Sequence, residues 1–265
     1  MSDASGQTLF ARTIGIIPAE TRFRCLKMVA VLSALYAILW LVGFQKHFLN
    51  DAEGIAALIQ IIGTLYSVLY AFATYVIWGQ FTSVESEIVK ESGSLKDLLL
   101  FSNPLKEMSR EPIVRAVKSY ARSVVEGEWH ALSSGERTEK SDRLFNDVIA
   151  SVINLKIEDA SERPVHERLL EVVNQASTHR DERLSLSVKR MPRTLFVFVS
   201  LTACTILLLL LFYPFRNAGL GVVSIAITAT LLFFAHFVLT DLDNPFEGTW
   251  NVRSDPFEDL IRKFR

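Results

Sequence analysis

From Gly54 to Val84 the chain carries no charged residue. A helix needs about 20 apolar residues to cross the hydrocarbon layer of a membrane. Three more uncharged runs satisfy or approach that requirement: Met28 to Gln45, Thr194 to Phe215 and Asn217 to Thr240. Any one of them alone also reads as a buried core helix. Four in one chain, with 50% of all residues hydrophobic, specify an integral membrane protein. The expected fold is all-α, with two plus two transmembrane helices and a helical bundle between the pairs.

The charges set the expected topology. Arg22, Arg24 and Lys27 precede the first run, which puts the N-terminus in the cytoplasm by the positive-inside rule. The late start of that run and the lack of a small-residue cleavage site argue against a secretory signal. The first run is the shortest, and it is expected to extend past Lys46, whose amine can snorkel. The short connection with His47, Asp51 and Glu53 is then external, and the stretch ending in Lys189, Arg190 and Arg193 is internal. A tight hairpin turns at Pro214, Arg216, Asn217 and Gly219. Arg253, Arg262, Lys263 and Arg265 return the C-terminus to the cytoplasm. The expected segments are residues 1–27 (cytoplasmic), 28–84 (first membrane hairpin), 85–193 (cytoplasmic helices), 194–240 (second hairpin) and 241–265 (cytoplasmic C-terminal segment).

One face of the second run is unusual. At 100° per residue, Gln60, Gly63, Thr64, Ser67, Ala71, Thr74 and Trp78 fall within an arc of about 100°. Ile62, Leu65, Leu69, Phe72 and Val76 occupy the other side. A polar group without a partner is costly in hydrocarbon. The stripe therefore faces other helices or water. Small residues such as Gly63, Ser67 and Ala71 suit close helix packing, but packing alone does not call for Gln60, Thr64 and Thr74 on the same arc. Several copies around an axis would form a narrow tube of amides and hydroxyls. If the helix continues beyond the membrane, Glu85 falls on the same face, as a carboxylate ring at the cytoplasmic mouth.

Residues 85–193 read as helical. Ser102-Asn103-Pro104 marks a break and a new start. Glu111-Pro112 opens a helix with proline in its first turn, and Val117, Tyr120, Ala121, Val124 and Val125 give it an apolar face. Ser133-Ser134-Gly135 ends it. A third helix is expected from Lys140 to Ile157, and a fourth from Glu162 to Arg190 with Pro164 in its first turn. These amphipathic helices carry both signs of charge and read as a bundle beneath the membrane.

A search for chemistry returns little. There is no Gly-rich phosphate loop, paired-cysteine motif or nucleophile elbow, so no enzyme or cofactor is expected. The net charge of −1 gives no electrostatic case for nucleic acid. Cys25 and Cys204 read as packing residues. The five histidines show no metal-ligand spacing, and only His236 lies within a membrane run, near its cytoplasmic end. Asp241, Asp243, Asn244 and Glu247 follow the last span. They could bind a cation or cap a turn before Pro245.

The order of these residues resembles the bestrophin-like domain family of bacterial membrane proteins, distant relatives of bestrophin channels, over roughly residues 55–260. The likeness rests on Gly63-Thr64-Leu65-Tyr66 and Trp78-Gly79-Gln80-Phe81 on the second span. It extends to the stretch from Glu85 to Glu91, Tyr120 with Val124 and Glu128-Trp129, Arg183-Leu184, and Asp243-Asn244-Pro245-Phe246. The resemblance implies an all-helical protomer in a ring of five, with the second span lining the pore neck. Gln60, Thr64 and Val68 fall at the neck positions that are apolar and aromatic in bestrophins, so a dewetting gate is not expected here. Only Glu247 and then Gly248 follow the Asn-Pro-Phe turn, so the acidic calcium clasp of the animal proteins is missing.

The expected function is a homo-oligomeric channel in a bacterial inner membrane, passing small inorganic ions with weak selectivity and anions by family precedent. Its expected wall is Gln60, Thr64, Ser67, Val68, Ala71, Thr74 and Trp78, with Glu85 at the mouth. The competing readings are a cation-preferring channel, a non-conducting scaffold or signalling protein whose bundle binds a partner, and a transporter using His236. The last would call for paired Gly or Pro helix breaks, and none is evident.

Overall fold

A computed structural model of the chain describes residues 18–157 and 159–263. Residues 1–17 and Arg265, which belong to the expected cytoplasmic ends, lie outside the described residues. The architecture is α-helical, with no strand among the described residues. Helix α1 covers Ala19–Leu41, followed by a 3-10 helix over Phe44–Asp51 and by α2 over Ala52–Phe101. Then come α3 (Glu107–Ser123), a π turn (Val124–Glu128), α4 (Trp129–Ser133), α5 (Glu139–Ile153), α6 (Arg163–Ser187), α7 (Arg193–Phe212), α8 (Ala218–Leu242) and α9 (Asp255–Lys263). Four helices, α1, α2, α7 and α8, are long and apolar enough to cross a membrane. The chain divides into two compact units, one of residues 1–77 with 191–241 and one of residues 78–190 with 242–265.

In the first unit, α1 starts earlier and ends earlier than expected. Pro18 is extended, and its carbonyl accepts from Arg22 N, so Arg22, Arg24 and Lys27 ride on the first turns of the helix. At the other end Gly43 adopts a left-handed φ of 74°. That conformation breaks the helix well before Lys46. The 3-10 segment beyond it is anchored to α7. Buried Gln45 donates from Nε2 to the Leu211 carbonyl at 3.0 Å. This carbonyl lies in the last turn of α7, where no intrahelical donor remains. Phe44 and Phe48 stack around Phe212 at 5.8 and 5.6 Å. Asn217 opens α8 by accepting from Gly219 N at 2.8 Å, as an N-cap should.

Tyr36 is wholly buried and lies against Gly221 of α8. A Cβ at Gly221 would overlap the Tyr36 hydroxyl and ring. Here glycine is required by close approach of a rigid ring and not by backbone conformation. Cys204 is exposed, which corrects its reading as a packing residue. Cys25 is half-buried.

The second unit has a continuous core from the distal part of α2 and from α3, α5, α6 and α9, with Ile88, Leu98, Val117, Val148, Leu169 and Phe257 among its buried residues. Several expected boundaries move. Pro112 sits inside α3, because the helix begins one turn earlier at Glu107. The Lys106 carbonyl starts it by accepting from Ser109 N and Arg110 N. Proline removes only the bond to the Met108 carbonyl, and Met108 is 90% exposed, so solvent reaches that end. Helix α5 stops at Ile153, not Ile157, with Asn154 as its cap. Helix α6 stops at Ser187, and its Pro164 lies in the first turn as expected. Helix α9 was not expected. Its spacing of Phe257, Leu260 and Ile261 gives a short apolar face, and Phe257 and Leu260 are buried.

An ion network lies inside this core. Arg183 is 0% exposed and donates to Glu91 at 2.6 Å and to Glu128 at 2.5 Å. Arg180 reaches Asp142 at 2.7 Å, Glu128 at 3.3 Å and the Tyr120 hydroxyl at 3.0 Å. The Tyr120 hydroxyl itself donates to Glu91. Burial, then the Glu91 carboxylate, pushes the Tyr120 pKa well above its ordinary value, so it remains a donor. Burial would lower the Arg183 pKa, but Glu91, Tyr120 and Glu128 outweigh it and hold it well above the usual range. The π turn brings Glu128 into this network. In an unbroken α-helix Glu128 would lie about 80° from Tyr120 around the axis; one extra residue in the turn returns it to about 20°.

Two outcomes follow from these contacts. Gly221→Ala should lower stability by about 1–3 kcal/mol through overpacking, read as a fall in melting temperature, with partial recovery when Tyr36→Ala is added. Arg183→Met should cost about 3–5 kcal/mol, because buried Glu91 loses its counter-charge and Glu128 keeps only the longer contact to Arg180. Arg183→Lys should recover only part of that, since an ammonium cannot span both acids as a planar fork does.

Candidate pore-lining face

Helix α2 carries the stripe. Within the first unit its buried residues are Ile55, Tyr66, Ala73 and Ile77. These define one line along the helix. Gln60, Thr64, Ser67 and Ala71 are exposed, Gly63 and Thr74 are half-buried, and Val68 is 63% exposed. The centre of the polar arc lies about 115° around the axis from the buried line. The stripe is thus not wedged inside one protomer. Two residues expected on the apolar side, Leu65 and Phe72, are also exposed, because the buried line is narrow.

The hydroxyls are self-contained. Thr64 donates to the Gln60 carbonyl at 2.8 Å, Ser67 to Gly63 at 2.9 Å and Thr74 to Tyr70 at 2.8 Å. Such bonds to the preceding turn are the usual answer of Ser and Thr inside helices. The proton of each hydroxyl is occupied, and the oxygen lone pairs remain available. The Gln60 carboxamide adds both a donor and an acceptor. The face offers neutral dipoles that can replace water around an ion but hold no net charge.

In the second unit, α2 continues with Trp78 and Glu85 exposed and with Val84 and Ile88 buried about 60–120° away around the axis. Thr82 is exposed between them and donates to the Trp78 and Gly79 carbonyls. Trp78 stacks on Phe81 at 6.0 Å and meets the edge of Trp250 at 6.2 Å. Trp250 escaped the sequence reading, since nothing in its local pattern ties it to α2.

Asn244 has a structural task. Its amide donates to the Ser133 carbonyl at 2.8 Å and to Glu247 at 3.1 Å. Its oxygen accepts from Arg190 at 3.2 Å and from Phe246 N at 3.4 Å. These are the contacts of a capped turn. Asp241 and Asp243 are half-buried and have partners of their own. No group of three or more His, Cys, Asp or Glu among the described residues is placed to hold a metal ion. His236 packs its ring on Phe196 at 4.7 Å.

A sequence profile described as the Bestrophin-like domain matches residues 28–257. The chain belongs to that family. Among solved structures, bestrophin-like folds align over nearly the whole chain. One variant of a bacterial bestrophin homologue from Klebsiella pneumoniae is 11% identical with a TM-score of 0.69, covering 93% of this chain and 98% of its own. A second variant of the same homologue is 12% identical with a TM-score of 0.70, at the same coverage. At that identity the likeness fixes the fold. No curated protein sequence matches the chain. The bestrophin-like fold accounts for the all-helical protomer and its four apolar helices.

The roles of Asn244 can be checked directly. Asn244→Ala should lower stability by about 1–3 kcal/mol by stranding the Ser133 carbonyl. Millimolar calcium should leave the melting temperature of the unsubstituted protein unchanged, since the Asn244 oxygen already accepts from a guanidinium.

Proposed function

We propose that the protein is an ion channel subunit, assembled with copies of itself, most simply as a ring of five, in a bacterial inner membrane. The second unit and both termini lie on the cytoplasmic side. The observation that carries this reading is the exposed polar stripe on α2: Gln60, Thr64, Ser67 and Ala71 lie uncovered on an apolar helix. Lipid is a poor partner for such a face. A shared aqueous conduit is a good one, and membership of the bestrophin-like family supports it. Conduction follows the electrochemical gradient and needs no chemical step.

The wall is Gln60, Thr64, Ser67, Val68, Ala71, Thr74 and Trp78, with Glu85 at the cytoplasmic mouth. Family precedent favours anions. Two features of this chain weaken that preference: the hydroxyl protons are engaged by backbone carbonyls, and Glu85 is exposed on the same helix. Free lone pairs and a carboxylate ring suit cations, so a cation-preferring channel is the second reading.

Reconstitution of a verified oligomer in a planar bilayer tests the proposal. Current is expected, with reversal potentials in asymmetric salt showing weak selectivity. Absence of current from that oligomer refutes it. Thr64→Arg should change conductance by about tenfold or more, because a charge on the wall of a narrow conduit acts on a permeating ion with well over the 1.4 kcal/mol such a factor requires. Glu85→Gln should move the reversal potential towards that of the anion.

A further inference from the structure

We propose that Trp250, in the loop between α8 and α9, is a second aromatic element of the conduit wall and helps set its conductance. This deepens the channel reading above and rests on it. The loop is not a free tail. Phe246 and Val252 are buried on either side of Trp250. Val252 N donates to the Pro245 carbonyl at 2.8 Å, and Trp129 Nε1 donates to the Val252 carbonyl. Asn251 closes back on the Gly248 carbonyl at 3.3 Å, and Gly248 reverses the chain with a φ of 92°. Asn244 ties the start of the loop to Ser133 and Arg190.

These anchors hold Trp250 against Trp78 with ring planes inclined by 70°. Both indoles stay open, Trp78 at 45% and Trp250 at 50% exposure. Two half-exposed tryptophans, one at the end of the second apolar run and one in an anchored loop, are an unusual use of the largest apolar side chain. On the face that carries Glu85 they form an apolar shoulder beside a carboxylate. Each protomer would add two indoles to one collar. Such a collar narrows the path and presents ring faces that favour cations over anions.

The test is chemical modification in the full-length channel carrying Cys25→Ser and Cys204→Ser. Trp250→Cys is treated in a bilayer with a sulfonated and with a trimethylammonium methanethiosulfonate reagent, and complete reaction is verified by intact mass. Conductance should change by about twofold or more, as added charge at a constriction requires, and the two reagents should shift the reversal potential in opposite directions. No change at Trp250→Cys, while the same reagents alter current at Thr64→Cys, overturns this proposal and leaves the conduit intact. Silence at both positions overturns the conduit reading and this proposal with it. If Trp250→Cys fails to assemble, Trp250→Phe and Trp250→Gln decide the matter. Conductance kept by Phe and changed by Gln supports the collar, and identical currents from the two refute it.

Discussion

Hydrocarbon cannot hydrogen-bond, and that single constraint organises this molecule. It forces every backbone group of a span into a helix. It also makes any polar stripe on such a helix a statement about what covers it. Helix α2 buries one line of apolar side chains in its own protomer and leaves Gln60, Thr64, Ser67 and Ala71 uncovered. The stripe tolerates isolation only because its hydroxyls bond to carbonyls one turn back. What remains on the surface is a line of lone pairs and one carboxamide per protomer, suited to water.

The second unit obeys a different rule. Its helices meet around a buried lattice of Glu91, Glu128, Arg180 and Arg183. Buried ion pairs contribute little net stability against an apolar core, but breaking one is costly. Such a lattice tolerates few alternative packings. It ties α2, the π turn and α6 to one register, and the face of α2 that bears Glu85 is set by it.

Much of this was legible in the residues. Four uncharged runs announced four spanning helices, and the spacing of Gln60, Thr64 and Ser67 marked the polar arc. Other features were hidden for definite reasons. Pro112 resembles a helix start, yet its missing amide costs one bond near a solvent-reached end, so the helix ran through it. Leu155 and Ile157 continue an apolar pattern, but Asn154 capped the helix before them. The π turn has no periodicity of its own. Arg180 and Arg183 did leave a trace: both fall inside the apolar arc of Leu169, Val172, Ala176 and Leu184, and a cation within such an arc implies a buried acid. Trp250 left none, because its partner lies far away in sequence.

The most direct measurement is a structure of the purified assembly in a lipid disc, viewed along the membrane normal. A symmetric ring with an axial opening, and Gln60 and Thr64 turned towards it, is the expected result. Those two side chains against lipid, or buried between subunits away from any axis, would contradict the account.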